Sequence, residues 1–289
     1  MESLQHYQQY LPAWPQGAPT HIHMVQTVWV AVLLTVVRFI ADKTLLPLIR
    51  KLLYRSGGEV SAAKAEQCWD NIYIVIWSLG TEVMAVYVTL HLNGGCTPWS
   101  TGTCLSGWPN HPLHEAQRWY MILMFQFYLH EMLGSFSGTG MHLKPDMQIH
   151  HIATMGLILS AYSMNLSRFG IMWQTLFDSS NPLLHCAKAM NAASLPCLDT
   201  PKWAIFALFA LAFFVCRVAV APFSIIWPGM TRSLEVLPAS WAYFLIALMF
   251  IVCGMQWLWF YRIIKLLQGK DNEEGTNKPV KTVKSTKTQ

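Results

Sequence analysis

The chain has 289 residues, of which 53% are hydrophobic and only 12% are charged, and its formal net charge is +5. Apolar runs near the roughly 20 residues that a spanning helix needs recur along it. This composition excludes an ordinary soluble domain and gives no indication of a nucleic-acid partner, and it is typical of a multi-pass membrane protein surrounded by membrane lipids.

Seven membrane spans are predicted in chain order. Their approximate ranges are 22–40, 70–92, 118–137, 149–165, 169–190, 203–221 and 237–264. Continuous apolar runs of this length favour helices over the alternating strands of a membrane barrel. The predicted fold class is therefore all-α, a multi-pass transmembrane helical bundle.

Lysine and arginine are distributed unequally between the two sets of predicted loops. On one side the loops contribute only Arg168 and Arg232. The opposite side carries Lys43, Arg50, Lys51, Arg55, Lys64, Lys144, Lys202 and the lysines of the C-terminal tail. Because positive residues accumulate in cytosolic loops, the N-terminus is expected in the lumen and the C-terminus in the cytosol.

Three regions are distinguished along the chain. Residues 1–66 comprise a lumenal N-terminus, the first span and a basic cytosolic loop, and residues 67–268 carry about six further spans. Residues 269–289 are polar, charged and nearly free of apolar residues. Such a segment cannot bury enough surface to offset its ordering entropy, so a disordered basic cytosolic tail is predicted.

Two of the seven cysteines, Cys96 and Cys104, share one predicted lumenal loop. The lumen is oxidising, so both a disulfide between them and two free thiols are compatible with this position. None of the cysteines has the CxxC spacing of a zinc site, and no metal site is predicted.

The pair His150-His151 at the start of an apolar stretch is the strongest indication of chemistry in the chain. Ionisable side chains are costly inside hydrocarbon, so those that are kept there usually line a cavity or do chemistry. His151, Thr154, Tyr162 and Asn165 follow one another at helical spacing along one face of the fourth span.

A second polar face is predicted on the fifth span, where Asp178, Asn181 and His185 lie at offsets of 3 and 4. Polar groups often satisfy only one another between membrane helices, and this alternative stays open. Two polar faces together favour a bundle that encloses a polar intramembrane cavity with a function. Glu82 and the pair His130-Glu131 are interpreted as bundle contacts or as entrances to a cavity. Arg217 is interpreted as an interface residue or as the partner of a carboxylate.

Residues 144–191 resemble the Lag motif of the ceramide synthases, within the wider TRAM-Lag-CLN8 (TLC) domain family. The positions that match the motif are His150, His151, Tyr162, Asn165, Arg168, Gly170 and Asp178. Supporting matches are Trp69, the loop 108–112, Tyr120, Tyr128 and the run 213–227. The resemblance covers roughly residues 67–266, so the middle region, 67–268, is identified as a TLC domain.

The chain departs from the motif in its second half. Where the family usually has His-Asp and a second Asp three residues later, this chain has Phe177-Asp178 and then Asn181. Where the family usually has Leu-Glu, this chain has Leu184-His185. Asn181 can form hydrogen bonds but cannot hold a proton. His185 is therefore a candidate replacement for a lost titratable group.

The resemblance implies that a fatty acyl group passes from acyl-CoA, as co-substrate, to the amine of a sphingoid base in the endoplasmic reticulum membrane. This acyltransferase reaction yields a ceramide and needs no metal or redox cofactor. His151 is expected to be the general base or an acyl-accepting nucleophile, and His150 to orient the carbonyl or to exchange protons. Asp178 is expected to fix an imidazole tautomer. The expected substrate-binding residues are Tyr162, Asn165, Arg168, Asn181 and His185. Assembly into a homo- or hetero-oligomer stays open.

Three other functions are compatible with parts of the sequence. Phe177 and Asn181 favour a non-catalytic TLC-domain protein that binds lipid or regulates. A translocon-associated member of the same superfamily would handle polypeptide instead of lipid. A histidine-box di-iron desaturase or hydroxylase is set aside, because its HxxxH and HxxHH spacings are absent.

Overall fold

The computed structural model of the protein describes residues 19–55 and 61–268. All of the named secondary-structure elements in these ranges are helical, which confirms the predicted all-α class. The predicted disordered tail, residues 269–289, lies outside the described residues, as do residues 1–18 of the predicted lumenal N-terminus.

The described ranges contain ten α-helices. They are α1 (His21–Gln26), α2 (Val28–Arg55), α3 (Ala62–Tyr87), α4 (Glu115–Ser137), α5 (Pro145–Ser163), α6 (Ser167–Asp178), α7 (Asn181–Ala193), α8 (Asp199–Phe213), α9 (Trp227–Val236) and α10 (Ala239–Leu267). Wider π-helical turns continue α3 through Val88–Leu92 and join α8 to α9 through Phe214–Val220 and Pro222–Ile226.

In the part of the chain that the structure describes, four helical segments are long and apolar enough to cross a membrane, judged by length and composition. They are His21–Arg55, Ala62–Leu92, Pro196–Val236 and Ala239–Leu267. These segments coincide with the first, second, sixth and seventh predicted spans. Helices α4 and α5 coincide with the third and fourth, but polar residues such as Gln126 and Glu131 interrupt their apolar runs.

The predicted fifth span, residues 169–190, is not one continuous helix. Helix α6 ends at Asp178, and α7 begins at Asn181 after a two-residue turn. Pro182 lies in the first turn of α7, where its missing N–H costs nothing and its ring disfavours continuation of the helix before it. The prediction that Asp178, Asn181 and His185 share the face of one helix is therefore wrong.

Local signals set several of the helix ends. At the start of α3 the Ser61 side chain accepts a hydrogen bond from the Lys64 backbone N–H at 3.3 Å. Helix α4 ends at Gly138, whose φ of 73° is accessible to glycine without strain. Asn165, with a φ of 54°, reverses the chain between α5 and α6.

The helices pack around a shared interior. Helix α3 packs against α7, α4 lies against both α2 and α5, and α5 also packs on α10. The largest buried apolar cluster contains Met172 of α6, Val252 of α10 and Ile225 of the π-helical turn Pro222–Ile226. This arrangement leaves one side of α3, α4, α5, α6 and α7 facing a common cavity.

The loop between α3 and α4, residues 93–114, covers the adjoining ends of α5 and α6. Cys96 and Cys104 are joined by a disulfide within it, which is one of the two states that the sequence left open. The Trp108 indole N–H donates to the Met164 carbonyl at 2.9 Å. The Asn93 amide donates to the Arg168 carbonyl, also at 2.9 Å, so the loop is fixed to both helices.

Candidate functional site

A cavity of about 1380 Å³ lies between α3, α4, α5, α6, α7, α8 and α10. Five predicted site residues line it: His150, His151, Asp178, Asn181 and His185. Three others lie elsewhere: Tyr162, Asn165 and Arg168. The structure thus brings the predicted catalytic residues to one cavity and separates them from part of the predicted binding set.

The histidine pair is buried in the cavity wall. The Tyr128 ring meets the His151 ring edge to face, with centroids 4.9 Å apart, and the His150 and His151 centroids are 5.9 Å apart. His151 is only 5% exposed, yet Nδ1 of each histidine has no hydrogen-bond partner among the described residues. Buried polar atoms are costly when unpaired, so a polar group that binds beside these two nitrogens would offset that cost.

Asn181 links a buried carboxylate to a buried guanidinium. Its Nδ2 donates to Asp178 Oδ1 at 2.9 Å, and its Oδ1 accepts a hydrogen bond from Arg217 Nη2. Arg217, 7% exposed, also donates from Nη1 to Gln256 Oε1 at 3.0 Å. Because an amide both donates and accepts, Asn181 connects the two charges without adding a second carboxylate.

Asp178 is not hydrogen-bonded to either histidine in the part of the chain that the structure describes. Its Oδ2 has no hydrogen-bond partner there, and its Oδ1 is held by Asn181. The Phe177 ring, at the position where the motif usually has histidine, lies 5.8 Å from the Arg217 guanidinium carbon. The predicted pairing of Asp178 with an imidazole stays a prediction.

His185 joins α7 to α3. Its Nδ1 lies 2.8 Å from Asn71 Oδ1, and because an amide oxygen only accepts, the imidazole donates this hydrogen bond. Both residues line the cavity. The predicted role of His185 as a replacement for a lost titratable group is untested by this contact.

Tyr162 lies near the end of α5 that meets the N-terminal helix α1. Its hydroxyl is 3.1 Å from His23 Nδ1 and accepts a hydrogen bond from Arg118 Nη1 at 3.2 Å. These contacts join α1, α4 and α5. The predicted role of Tyr162 in binding substrate stays a prediction.

Asn165 and Arg168 hold the loop 93–114. Asn165 Nδ2 donates to the Pro109 and His111 carbonyls at 2.8 and 3.1 Å, and Arg168 Nη1 donates to the Ser106 carbonyl at 3.3 Å. Burial, and then the nearby charge of Arg168, lower the pKa of His111 to about 4, so this side chain is uncharged at neutral pH. Substrate binding by Asn165 and Arg168 stays a prediction.

Asn165 begins the sequence Asn-Leu-Ser, which matches a glycosylation acceptor. Its side chain is 2% exposed, and its amide nitrogen already donates to two carbonyls. We therefore expect no glycan at this residue. Deglycosylation should leave the electrophoretic mobility of the protein unchanged, and a shift that disappears in Asn165→Gln would contradict this expectation.

Basic and apolar side chains form much of the remaining cavity wall, together with some carboxylates. The basic residues that line it include Lys144, Lys188, Lys202 and Arg262. The apolar lining includes Leu157, Trp173, Leu245, Met249 and Val252. A molecule with an anionic head and a hydrocarbon chain matches this division.

The sequence interpretation missed two residues of the cavity. Arg217 was assigned to the interface or to a pair with a carboxylate, although an arginine within an apolar run is itself a functional signal. Tyr128 was noted only as a family match, and no local pattern shows that its ring covers His151.

Comparisons with known proteins agree with the resemblance of the motif. Residues 64–265 match the family model of the TLC domain. The chain is 28% identical to mouse ceramide synthase 4 over 204 residues, which is 70% of this chain and 49% of that protein. It is 30% identical to human ceramide synthase 5 over 184 residues, which is 61% of this chain and 46% of that protein. The chain thus spans about half the length of these curated relatives.

A plant relative matches over a greater share of both chains. Alternaria stem canker resistance protein 1 of tomato is 22% identical over 293 residues, which is 93% of this chain and 92% of that protein. Sequence similarity to this plant protein therefore extends beyond residues 64–265, which match the family model of the TLC domain.

Proposed function

This chain belongs to the TLC domain family, and on that premise we propose that it transfers a fatty acyl group from acyl-CoA to the amine of a sphingoid base. The product is a ceramide. The similarity to proteins named ceramide synthases supports this substrate pair.

One observation carries the proposal. The buried histidines His150 and His151 present unpartnered Nδ1 atoms, and both residues line a cavity whose remaining wall is partly basic and partly apolar. The basic side chains suit the phosphates of coenzyme A, and the apolar side chains suit the acyl chain and the hydrocarbon tail of the base.

The proposed step uses the residues of this cavity alone. The amine nitrogen attacks the thioester carbonyl, the C–N bond forms and the C–S bond breaks. His151 takes the proton that the amine loses and returns it to the departing sulfur, so that coenzyme A leaves as a thiol. His150 beside it orients the acyl carbonyl. The hydrogen bonds that join Asp178, Asn181 and Arg217 fix the cavity wall around Phe177. Asp178 stays the proposed carboxylate partner of an imidazole.

We further propose seven membrane crossings in the endoplasmic reticulum membrane, around an intramembrane cavity. Helices α4 and α5 supply the third and fourth crossings, and α6 with α7 supplies the fifth. The disulfide of the loop 93–114 supports a lumenal position for that loop, because disulfides persist in oxidising compartments.

The proposed topology predicts where two reporters will be found. A reporter fused after Gln289 should be cytosolic, and one inserted beside Gly102 should be lumenal, because the basic loops lie on the side of the C-terminus. Protease protection of each reporter in sealed microsomes measures this. Finding both reporters on the same side of the membrane would overturn the seven-crossing topology.

A non-catalytic lipid-binding or regulatory function is the second candidate. The observation that favours it is the absence, among the described residues, of a hydrogen bond from a histidine N–H to the Asp178 carboxylate. Phe177 and Asn181 at motif positions favour it as well. A protein of this kind would keep the cavity and bind a sphingoid base without turning it over.

The release of coenzyme A separates the two candidates. The purified protein is given acyl-CoA with and without a sphingoid base, and the free thiol is measured. A catalyst releases thiol at a rate that depends on the base, whereas a binding protein releases none above the rate without base. A fatty alcohol in place of the base controls for hydrolysis and for transfer to oxygen.

A further inference from the structure

A second polar cluster lies between α2, α3 and α4, outside the Lag motif. Its centre is Arg38, which is 2% exposed. Arg38 Nε donates to Asp42 Oδ1 at 2.7 Å, and Nη2 donates to Asp70 Oδ1. The guanidinium carbon also lies 4.3 Å from the centre of the Tyr73 ring. One buried cation is thus shared between two carboxylates.

A third carboxylate, Glu131 of α4, adjoins this cluster beside His130. Thr35 Oγ1 donates to the Ala31 carbonyl at 2.9 Å and is left to accept from His130 Nδ1, also at 2.9 Å. His130 Nε2 then accepts from the Tyr73 hydroxyl at 3.2 Å. Both ring nitrogens are satisfied in the neutral imidazole, so His130 brings no charge to offset Glu131.

The cluster therefore has an excess of negative charge. Within residues 19–55 and 61–268, Arg38 is the one cation of the cluster, set against Asp42, Asp70 and Glu131 when all three are ionised. Asp42 is held by Arg38 and by the Trp69 indole N–H, which donates at 2.6 Å. Asp70 is also held by Arg38, whereas Glu131 has no Lys or Arg partner within 4 Å in the part of the chain that the structure describes. A cation in the cavity would therefore offset the charge of an ionised Glu131.

Asp70 and Glu131, which we name the acidic wall, are the two of these carboxylates that line the cavity. The basic lining residues come from other parts of the chain, with Lys144 directly before α5 and Lys188 on α7. The acidic wall is on α3 and α4. The cavity wall therefore carries charges of both signs, which suits an occupant pair of which one is anionic and the other cationic.

A second observation in the same cavity indicates a polar occupant. Gln174, 7% exposed, lines the cavity, and neither its Nε2 nor its Oε1 has a hydrogen-bond partner among the described residues. A hydrocarbon chain alone leaves this amide unsatisfied, whereas an amine or hydroxyl group satisfies it.

The acidic wall also adjoins the predicted chemistry. Glu131 lies three residues after Tyr128 on α4, so the two side chains are neighbours on one helical face. The Tyr128 ring packs against His151. A cation held at Glu131 is therefore next to the group that covers the histidine.

We propose that Asp70 and Glu131 form the subsite that binds the protonated amine of the sphingoid base. The inference rests on the proposed function for the identity of the ligand, and it concerns the binding of the charged amine before acyl transfer. The anionic co-substrate is held by the basic residues that line the same cavity. The ammonium group releases one proton to water before its nitrogen attacks the thioester, and His151 takes the second proton during acyl transfer.

The test compares two ligands that differ only in the amine. A C18 sphingoid base and octadecane-1,3-diol are each titrated into the purified full chain in detergent micelles. The wild-type protein should bind the base at least about tenfold more tightly than the diol. Glu131→Gln should remove most of this preference while the affinity for the diol is unchanged. Asp70→Asn should also reduce the preference for the base over the diol.

Glu66→Gln is the matched control, because Glu66 lies one turn before Asp70 on α3 and forms an exposed pair with Arg50. It should keep the preference for the base. Equal affinity of the wild-type protein for both ligands would overturn the proposal even if a variant failed to fold. An unchanged preference in folded Glu131→Gln would overturn it as well.

Acyl transfer measured on the same samples separates the two proposals. A preference for the base that Glu131→Gln abolishes, in a protein that releases no thiol, supports the amine subsite and refutes the enzyme. Thiol release with no preference for the base supports the enzyme and refutes the subsite.

Discussion

His151→Ala is expected to reduce acyl transfer by about a hundredfold or more, because general acid-base catalysis contributes about 10² to 10⁴ in rate. The imidazole lies in the cavity wall with an unpartnered Nδ1, so its loss removes the group that moves the proton between amine and sulfur. The initial rate of ceramide formation by purified protein measures this, with a thermal unfolding curve to show that the variant is folded.

His91→Ala is the control for this substitution, since His91 is exposed and does not line the cavity. It should leave the rate unchanged. If the folded double variant His150→Ala and His151→Ala transfers acyl groups at the wild-type rate, the catalytic role of both histidines is refuted.

Arg217→Met is expected to destabilise the protein by about 3 kcal/mol or more, because it leaves a buried carboxylate without its cation. Arg217 is linked to Asp178 through Asn181, and all three side chains line the cavity. Adding Asp178→Asn removes the unpaired negative charge and should restore part of the lost free energy of unfolding. A double-mutant cycle on the unfolding free energy in micelles measures this coupling.

Arg232→Met provides the comparison for an exposed arginine. Arg232 forms a 3.4 Å pair with Glu235, and both side chains are largely exposed, so its loss should cost less than about 1 kcal/mol. Equal effects of Arg217→Met and Arg232→Met, or no relief from Asp178→Asn, would show that Asp178 and Arg217 are not an electrostatic unit.

The sequence predicted the helical class, because the length of an apolar run is a local property. It also predicted that the histidine pair and Asp178 lie in one site, because all three belong to one family motif. It did not predict the break between Asp178 and Asn181, since average hydropathy is insensitive to a two-residue turn. The helical face drawn from His151 to Asn165 also fails at its end. Helix α5 stops at Ser163, and Asn165 adopts a left-handed conformation that points its amide at the loop 93–114.

Contacts between distant residues account for what else was missed. Arg38 meets Asp70, and Thr35 meets His130 across a separation of 95 residues. No periodicity within one helix shows which polar residue of another helix will be its partner. For this reason the sequence left Glu131 as either a bundle contact or a cavity entrance, and the packing of α2, α3 and α4 places it in the cavity wall.

The most direct test of the proposed function follows a labelled acyl group into product. Membranes from cells that lack other sphingoid base N-acyltransferases are prepared with this protein, supplied with isotopically labelled acyl-CoA of several chain lengths and a sphingoid base, and extracted for mass spectrometry. We predict labelled ceramide from the wild-type protein and only background from folded His151→Ala. No labelled ceramide at any chain length from folded wild-type protein would contradict the assignment as an acyltransferase.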